Sequence, residues 1–240
     1  MKIALIGYGK MGHEIEKIAI ERGNEVVCTI DALINPQDFT DENLQKADVV
    51  IEFTRPDAAF DNYMKCFHAG VPVVSGTTGW LSRMPELEKI VKEQGKTFFY
   101  ASNFSIGVNI FFRLNKFLAK IMNGFKDYDV KMEEIHHTQK LDKPSGTAKT
   151  LADDLVSILD SKKSWVIDTT PKDGEINIDC IREEAVPGTH TVHYFSEVDD
   201  IEMTHTAHSR KGFALGAVLA AEFLCGKPAG MYGMDDMLKF

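Results

Sequence analysis

The chemically richest stretch of the chain is Glu133-Glu134-Ile135-His136-His137-Thr138-Gln139-Lys140-Leu141-Asp142-Lys143-Pro144-Ser145-Gly146-Thr147. Near neutral pH a histidine works as acid or base, or donates a hydrogen bond as a cation. Strand alternation through this run puts His136 and His137 on opposite faces, so the two rings have different jobs. Lys140 adds a fixed cation or a proton donor. Ser145, Gly146 and Thr147 open a helix, where hydroxyls and backbone N–H groups offer a carboxylate site. The combination suits a small dianionic substrate that takes up one proton. The competing reading is an exposed turn with a serine cap and two solvated histidines.

A second constellation stands at the N-terminus. Gly7-Tyr8-Gly9-Lys10-Met11-Gly12 fits G-x-G-x-x-G between an apolar run, Lys2–Ile6, and a segment of helical spacing from Met11 to Arg22. In such a loop the first glycine permits a tight turn, the second lets a pyrophosphate approach the backbone, and the third lets helix and strand pack closely. Asp31 closes the next strand, 19 residues beyond Gly12, where a carboxylate accepts from an adenosine ribose. Its charge opposes a 2′-phosphate and Ala32 supplies no guanidinium, so NADH is the favoured cofactor. Lys10 leaves NADPH open. Ser75-Gly76-Thr77-Thr78-Gly79 ends a later strand on the same edge of the sheet. It either lines a nicotinamide ribose or is an ordinary strand-to-helix loop.

The elements that must position these groups follow from periodicity. Up to about residue 103 short apolar runs (Glu25–Asp31, Ala47–Phe53, Val71–Ser75, Lys96–Tyr100) alternate with amphipathic helical segments, the pattern of a doubly wound parallel sheet of Rossmann type. Beyond Asn103 the order changes. A long apolar helix over 107–122 is followed by a strand-like run ending at His136–His137, a helix over 146–161, and three strand-like runs in succession, Glu175–Glu183, Thr189–Val198 and Asp200–Ser209. The chain closes on the helix Gly212–Leu224. The expected fold is therefore α/β, with an N-terminal doubly wound domain (1–104 and 212–240) and a second α+β domain on a mixed open sheet (105–211).

Composition narrows the class further. A formal net charge of −9 disfavours a nucleic-acid surface, which is normally basic. No apolar run approaches the ~18 residues of a membrane span, and Met1–Gly12 is not read as a signal peptide. Cys28, Cys66, Cys180 and Cys225 form no C-x-x-C pair, so a cytoplasmic enzyme or binding protein without a thiolate metal centre is expected. His190/His193 and His205/His208 are spaced H-x-x-H, which on strands points the two rings to opposite faces, so no metal site is expected there either.

Taken together, "GYGKMG", "SGTTGW", "ASNFSIGVN", "EIHHTQKLDKPSGTA", "GTHTVHYF" and "THTAHSRKGFALGAV", in that order, resemble the 4-hydroxy-tetrahydrodipicolinate (dihydrodipicolinate) reductase family of bacterial lysine and diaminopimelate biosynthesis, nearly end to end. The resemblance implies hydride transfer from NAD(P)H to a cyclic imine carrying two carboxylates. It implies that Gly7–Gly12 and Asp31 hold the adenosine and pyrophosphate, and that Gly76, Thr77 and Thr78 with Ala101, Ser102, Asn103 and Phe104 line the nicotinamide half, Phe104 against the ring. It gives His136 the acid/base role and Lys140 the proton, and His137, Ser145, Gly146 and Thr147 the substrate carboxylates. It also implies a homotetramer built through the second-domain sheet. Ala32 stands where relatives often carry arginine, and Glu183 and Glu184 stand where a small residue is expected after Arg182. The rival classes are another two-domain nicotinamide dehydrogenase, which leaves the Ser-Gly-Thr anion site unexplained, and a non-catalytic NAD-sensing module, which leaves His136 and Lys140 without a purpose.

Overall fold

The computed structural model describes residues 1–239. The chain divides into two compact units: Met1–Ile106 together with the chain from Arg210 onward, and Gly107–Ser209. The sequence placed these breaks after residues 104 and 211.

The first unit is built from β1 (Lys2–Ile6), α1 (Lys10–Glu21), β2 (Glu25–Ile30), α2 (Asp41–Leu44), β3 (Val49–Glu52), α3 (Pro56–Ala69), β4 (Val73–Ser75), α4 (Met84–Gln94) and β5 (Thr97–Tyr100). Its six strands are all parallel and lie in the order β11-β5-β4-β3-β1-β2, the sixth coming from the end of the chain. Strands buried on both faces read as continuous apolar runs, and all four residues of β3 are buried. Alternate residues pack on opposite faces. Ile3, Leu5, Val49 and Ile51 meet Ile15, Ile18 and Ala19 of α1. Ala4, Ile6, Val50 and Val73 meet Phe60, Tyr63 and Phe67 of α3 and Leu87 of α4. Pro56 opens α3, and Gly70, at φ +77°, ends it. The strand order reverses beside β1, so the loops after β1, β3 and β4 share one carboxyl edge, the place where such sheets bind ligands.

The second unit contains α5 (Ile106–Met122), β6 (Asp129–His136), α6 (Gly146–Ile158), β7 (Ser164–Ile167), β8 (Glu175–Arg182), β9 (Gly188–Phe195) and β10 (Asp200–Ala207). Its sheet runs β10-β9-β6-β8-β7; β6, β7 and β8 are mutually parallel, and β9 is antiparallel to both β6 and β10, so the sheet is mixed. Alternation is clean on β6 and β9: Val130, Met132, Glu134 and His136, like His190, Val192 and Tyr194, point to the buried face. There Met132, Ile178 and Val192 pack with Leu151, Ala152 and Leu155 of α6 and Phe111, Ala119 and Met122 of α5.

The chain returns to the first unit through α7 (Lys211–Leu224), β11 (Gly230–Tyr232) and α8 (Met234–Leu238). Helix α7 is alanine-rich and packs into the core of the first unit, and a Cβ at Gly216 would collide with the Phe104 carbonyl in the loop after β5. Strands β7 and β11 were not anticipated, and α6 ends at Ile158 rather than at 161. Edge strands of three or four residues are too short for a period of two to register.

Candidate active site

In the first unit the glycine loop does two separable things. Gly7 has φ +89°, and a Cβ there would collide with the Phe53 carbonyl, so this glycine is demanded by backbone conformation and by a neighbouring strand. A Cβ at Gly12 would lie 2.5 Å from the Gly7 carbonyl oxygen, which is the close helix–strand approach expected of the third glycine. Gly9 differs: a Cβ there meets nothing within 4 Å. It borders a cavity of about 540 Å³ lined by Gly9–Gly12, Phe53, Thr54, Gly76, Thr77, Thr78 and Arg210. Bare backbone facing open space at the start of α1 fits a pyrophosphate. Arg210 lines the same cavity and supplies a cation; nothing in the local sequence around it marked it for this place.

Beneath the cavity lies Glu52, at the end of β3 and fully buried. Its carboxylate accepts from Ser75 Oγ (2.7 Å), Thr77 Oγ1 (3.0 Å) and the Thr54 hydroxyl, while Thr77 Oγ1 accepts from Thr54 N–H (2.7 Å). Tyr63 Oη meets Ser75 Oγ at 2.6 Å. The loops after β3 and β4 are therefore tied to one buried acid. Asp31 sits beside the glycine loop, accepting from Tyr8 N–H (3.3 Å) and Leu33 N–H (2.9 Å). Those backbone donors, Leu33 first, hold its carboxyl below the ordinary range. Ala32 is exposed.

Of the nicotinamide-side candidates, Gly76, Thr77 and Thr78 line the cavity, whereas Ala101, Ser102, Asn103 and Phe104 do not. Phe104 is a core residue, 2% exposed, with its ring 5.6 Å from Phe53 and 5.9 Å from Phe99. Asn103 Oδ1 accepts from Ser105 N–H (2.9 Å) and shapes the turn into α5.

The second unit gathers a different set of groups at the carboxyl end of β6. His136 is 6% exposed and shares its face with Glu134, which is fully buried; His136 Nδ1 lies 3.5 Å from Glu134 Oε2. Both Glu134 oxygens accept the Ser145 N–H (3.0 and 3.2 Å), and Oε1 also takes Arg182 Nη2 at 3.2 Å. His190 Nε2 lies 3.1 Å from Ser145 Oγ, and that hydroxyl caps α6 by accepting Ala148 N–H at 3.1 Å. A Cβ at Gly188 would press on His136 Nε2 at 3.0 Å, so this glycine makes room for the ring. Sheet register explains the gathering: His136 pairs with Arg182 on β8, and Glu134 with His190 on β9.

Electrostatics sort the roles. Burial lowers His136, with Glu134 partly offsetting it, so the ring is neutral at pH 7. His190 is pushed down to about 3, by burial first and then by His136. Burial alone would raise Glu134, but the Ser145 hydrogen bonds, His136 and Arg182 outweigh it and hold the carboxyl below its usual value. Glu134, His136 and His190 offer three ligand atoms within 4.8 Å of one another. Arg182 already neutralises that single carboxylate, so the trio suits an ion-pair network better than a divalent cation. His190 and His193 do point to opposite faces.

Past His136 the chain leaves the sheet. His137 is half-buried, and its carbonyl accepts Lys140 N–H at 3.0 Å. The Lys140 ammonium sits on both oxygens of Asp142 (2.8 and 3.0 Å) and is 23% exposed. Gly146 opens α6 with nothing within 4 Å of where its Cβ would be, so a carboxylate has room to reach the positive end of that helix. The sequence named His136, His137, Lys140 and Ser145–Thr147. It did not assign Glu134, Arg182 or His190 to the site, although Glu134 is signalled by its position two residues before His136 on one strand.

Models of two protein families match this chain: "Dihydrodipicolinate reductase, N-terminus" over residues 1–104 and "Dihydrodipicolinate reductase, C-terminus" over residues 107–238. The chain belongs to the dihydrodipicolinate reductase family. The 4-hydroxy-tetrahydrodipicolinate reductase of Christiangramia forsetii is 52% identical over 238 residues, covering 99% of this chain and 98% of its own. Among solved structures, the dipicolinate-bound dihydrodipicolinate reductase from Paenisporosarcina sp. TG-14 has the same fold, with a TM-score of 0.77 over 98% of both chains at 24% identity. An amine dehydrogenase from Mycobacterium smegmatis shares the architecture more loosely, with a TM-score of 0.53 over 96% of this chain and 94% of its own at 11% identity. The glycine-loop cavity thus falls within the N-terminal family match, apart from Arg210, and the cluster around His136 within the C-terminal one.

Proposed function

We propose that the chain reduces 4-hydroxy-tetrahydrodipicolinate with a nicotinamide cofactor, with the first unit holding the cofactor and the second the dicarboxylate. The carrying observation is that β6 and α6 bring His136, the loop of Lys140 and the Ser145–Thr147 turn onto one buried ion-pair network. When bound, the cofactor supplies a hydride. The bare face of Gly9 and the start of α1 receive its pyrophosphate, Arg210 and Lys10 balance that charge, and Asp31 accepts from the ribose. The carboxyl of Asp31 and the absence of a cation at Ala32 favour NADH over NADPH.

In the second unit the α6 N-terminus, open in front of Gly146, takes one substrate carboxylate, with His137 and Thr147 beside it. Lys140 offsets the substrate's charge and delivers the proton that the reduced ring needs. Asp142 holds that ammonium in place until the substrate arrives. His136, neutral at pH 7, exchanges the proton with Lys140 or with the substrate. We place the assembly interface of a homotetramer on the sheet face opposite α5 and α6, where Lys131, Glu133, Thr191, His193 and Glu202 line a shallow depression of about 160 Å³. No helix among the described residues is long and apolar enough to cross a membrane. Cys28, Cys66, Cys180 and Cys225 are all unpaired, which suits a reducing cytoplasm.

Steady-state kinetics of Lys140→Ala and His136→Ala test the assignment. Each is expected to lower kcat by roughly 10²-fold or more, the scale of a lost general acid or base, with cofactor binding intact. Near-normal kcat in both variants would overturn their roles.

A further inference from the structure

The Glu134–Arg182 pair does not reach the Lys140 ammonium, yet its hydrogen bonds tie the segment from Lys140 to Ser145 to the sheet. Arg182, at the end of β8, donates from Nη2 to the Asp142 carbonyl at 2.8 Å and to Glu134 Oε1 at 3.2 Å, and from Nε to the Lys140 carbonyl at 3.4 Å. Glu134, on β6, accepts the Ser145 N–H with both oxygens. Residues 140, 142 and 145 are thereby held at three points to two neighbouring strands, one of which ends in His136. Between these points Leu141 is 96% accessible, while Pro144 is buried and Lys143 pairs with Asp168.

Stability gives little reason for such a pair. A buried ion pair pays a desolvation cost that its attraction seldom exceeds, and apolar replacements are often as stable. Here the pair's carboxylate is fully buried and the guanidinium side chain 18% exposed. A planar guanidinium spans two carbonyls and a carboxylate at once, which a lysine ammonium on a flexible stem does not.

We propose that Glu134 and Arg182 are a positioning pair, which keeps Lys140 and the turn opening α6 in register with His136. The inference rests on the roles given above to Lys140, His136 and the Ser145–Thr147 turn. A misplacement of about 1 Å between reacting groups costs on the order of 10²-fold in rate, so loss of this anchoring is felt in turnover first.

The test uses the chain with Arg182→Lys, Arg182→Ala, Glu134→Gln and the Arg182→Lys/Glu134→Gln double variant, beside wild type and Lys140→Ala. NADH affinity without substrate and the melting temperature are measured for each. Arg182→Lys and Glu134→Gln are each expected to lose at least tenfold in kcat and to raise the KM for the dicarboxylate, with NADH affinity within twofold of wild type. The double variant should lose no more than the worse single one, because both changes break one device. Added guanidinium ion should restore part of the turnover of Arg182→Ala. Values of kcat/KM within threefold of wild type in both single variants overturn the proposal. So does a collapse of melting temperature and NADH binding along with activity in both, which would make the pair part of the fold alone. An inactive wild type, or a Lys140→Ala variant of normal kcat, overturns the underlying reading instead and is told apart by those controls.

Discussion

Alanine at Gly7 and alanine at Gly9 should fail in opposite ways, although the two residues are neighbours in one loop. At Gly7 the backbone has φ +89°, which costs a side chain about 1–2 kcal/mol. The collision of the new Cβ with the Phe53 carbonyl adds on the order of 1–3 kcal/mol, because that carbonyl closes β3 and has little room to move. The sum, about 2–5 kcal/mol, lowers the melting temperature by roughly 4–20 °C in a chain of this size. At Gly9 the backbone is extended, φ −85° and ψ −156°, and the Cβ touches nothing, so alanine costs less than about 1 kcal/mol as the helix cap and melting shifts by under ~4 °C. Its methyl instead stands in the cavity where a pyrophosphate must approach. Losing one charge-assisted backbone hydrogen bond, about 1.5–3 kcal/mol, weakens cofactor binding by roughly 10- to 150-fold. Thermal melts and calorimetric titration with NADH read the two effects separately. The reasoning is refuted if Gly9→Ala binds NADH within twofold of wild type, or if Gly7→Ala melts as wild type does.

Other consequences follow from charge and burial. His190 in the folded chain binds a proton only near pH 3, whereas the unfolded chain does so near its ordinary 6.5. Protonation therefore favours unfolding. The contribution of His190 to stability is full above pH 6.5 and falls by about 1.4 kcal/mol per pH unit as the pH drops toward 3, and His136, also lowered by burial, adds a loss of the same sign. Glu134, also held low, adds a second loss in the carboxylate range. Denaturation curves at pH 7, 6, 5 and 4 should show that slope, His190→Gln should flatten it, and an unchanged slope in the variant would contradict the assignment. Ala32→Arg places a guanidinium beside Asp31 and should shift the ratio of kcat/KM toward NADPH by about tenfold, the worth of one charge-assisted contact; no shift would mean that the 2′ position lies elsewhere.

What the sequence revealed divides along physical lines. The glycine loop, Asp31 and the run from His136 to Thr147 are local patterns, each legible within 20 residues or so. Glu134, Arg182 and His190 form one cluster only because β8 and β9 flank β6 in a fixed register, a pairing that no local pattern encodes. The H-x-x-H spacing placed His190 and His193 on opposite faces without saying which faced inward, and His190 is the one that lies inside, against Ser145. The family resemblance placed Phe104 against the nicotinamide ring, whereas its side chain packs between Phe53 and Phe99 in the core. Glu52 closes a strand that reads as apolar, and its burial under three hydroxyls depends on loops 54 and 75–77 folding over it. Arg210 reaches the cavity because α7 returns to the first unit, a matter of chain path rather than of composition.

The most direct test is to follow NADH and NADPH oxidation at the nicotinamide absorbance, with 4-hydroxy-tetrahydrodipicolinate generated in situ. The expected result is oxidation that requires substrate and is faster per cofactor bound with NADH than with NADPH. Absence of substrate-dependent oxidation with either cofactor, in folded protein shown to bind NADH, would contradict the account and leave the His136–Lys140 cluster a binding site without chemistry.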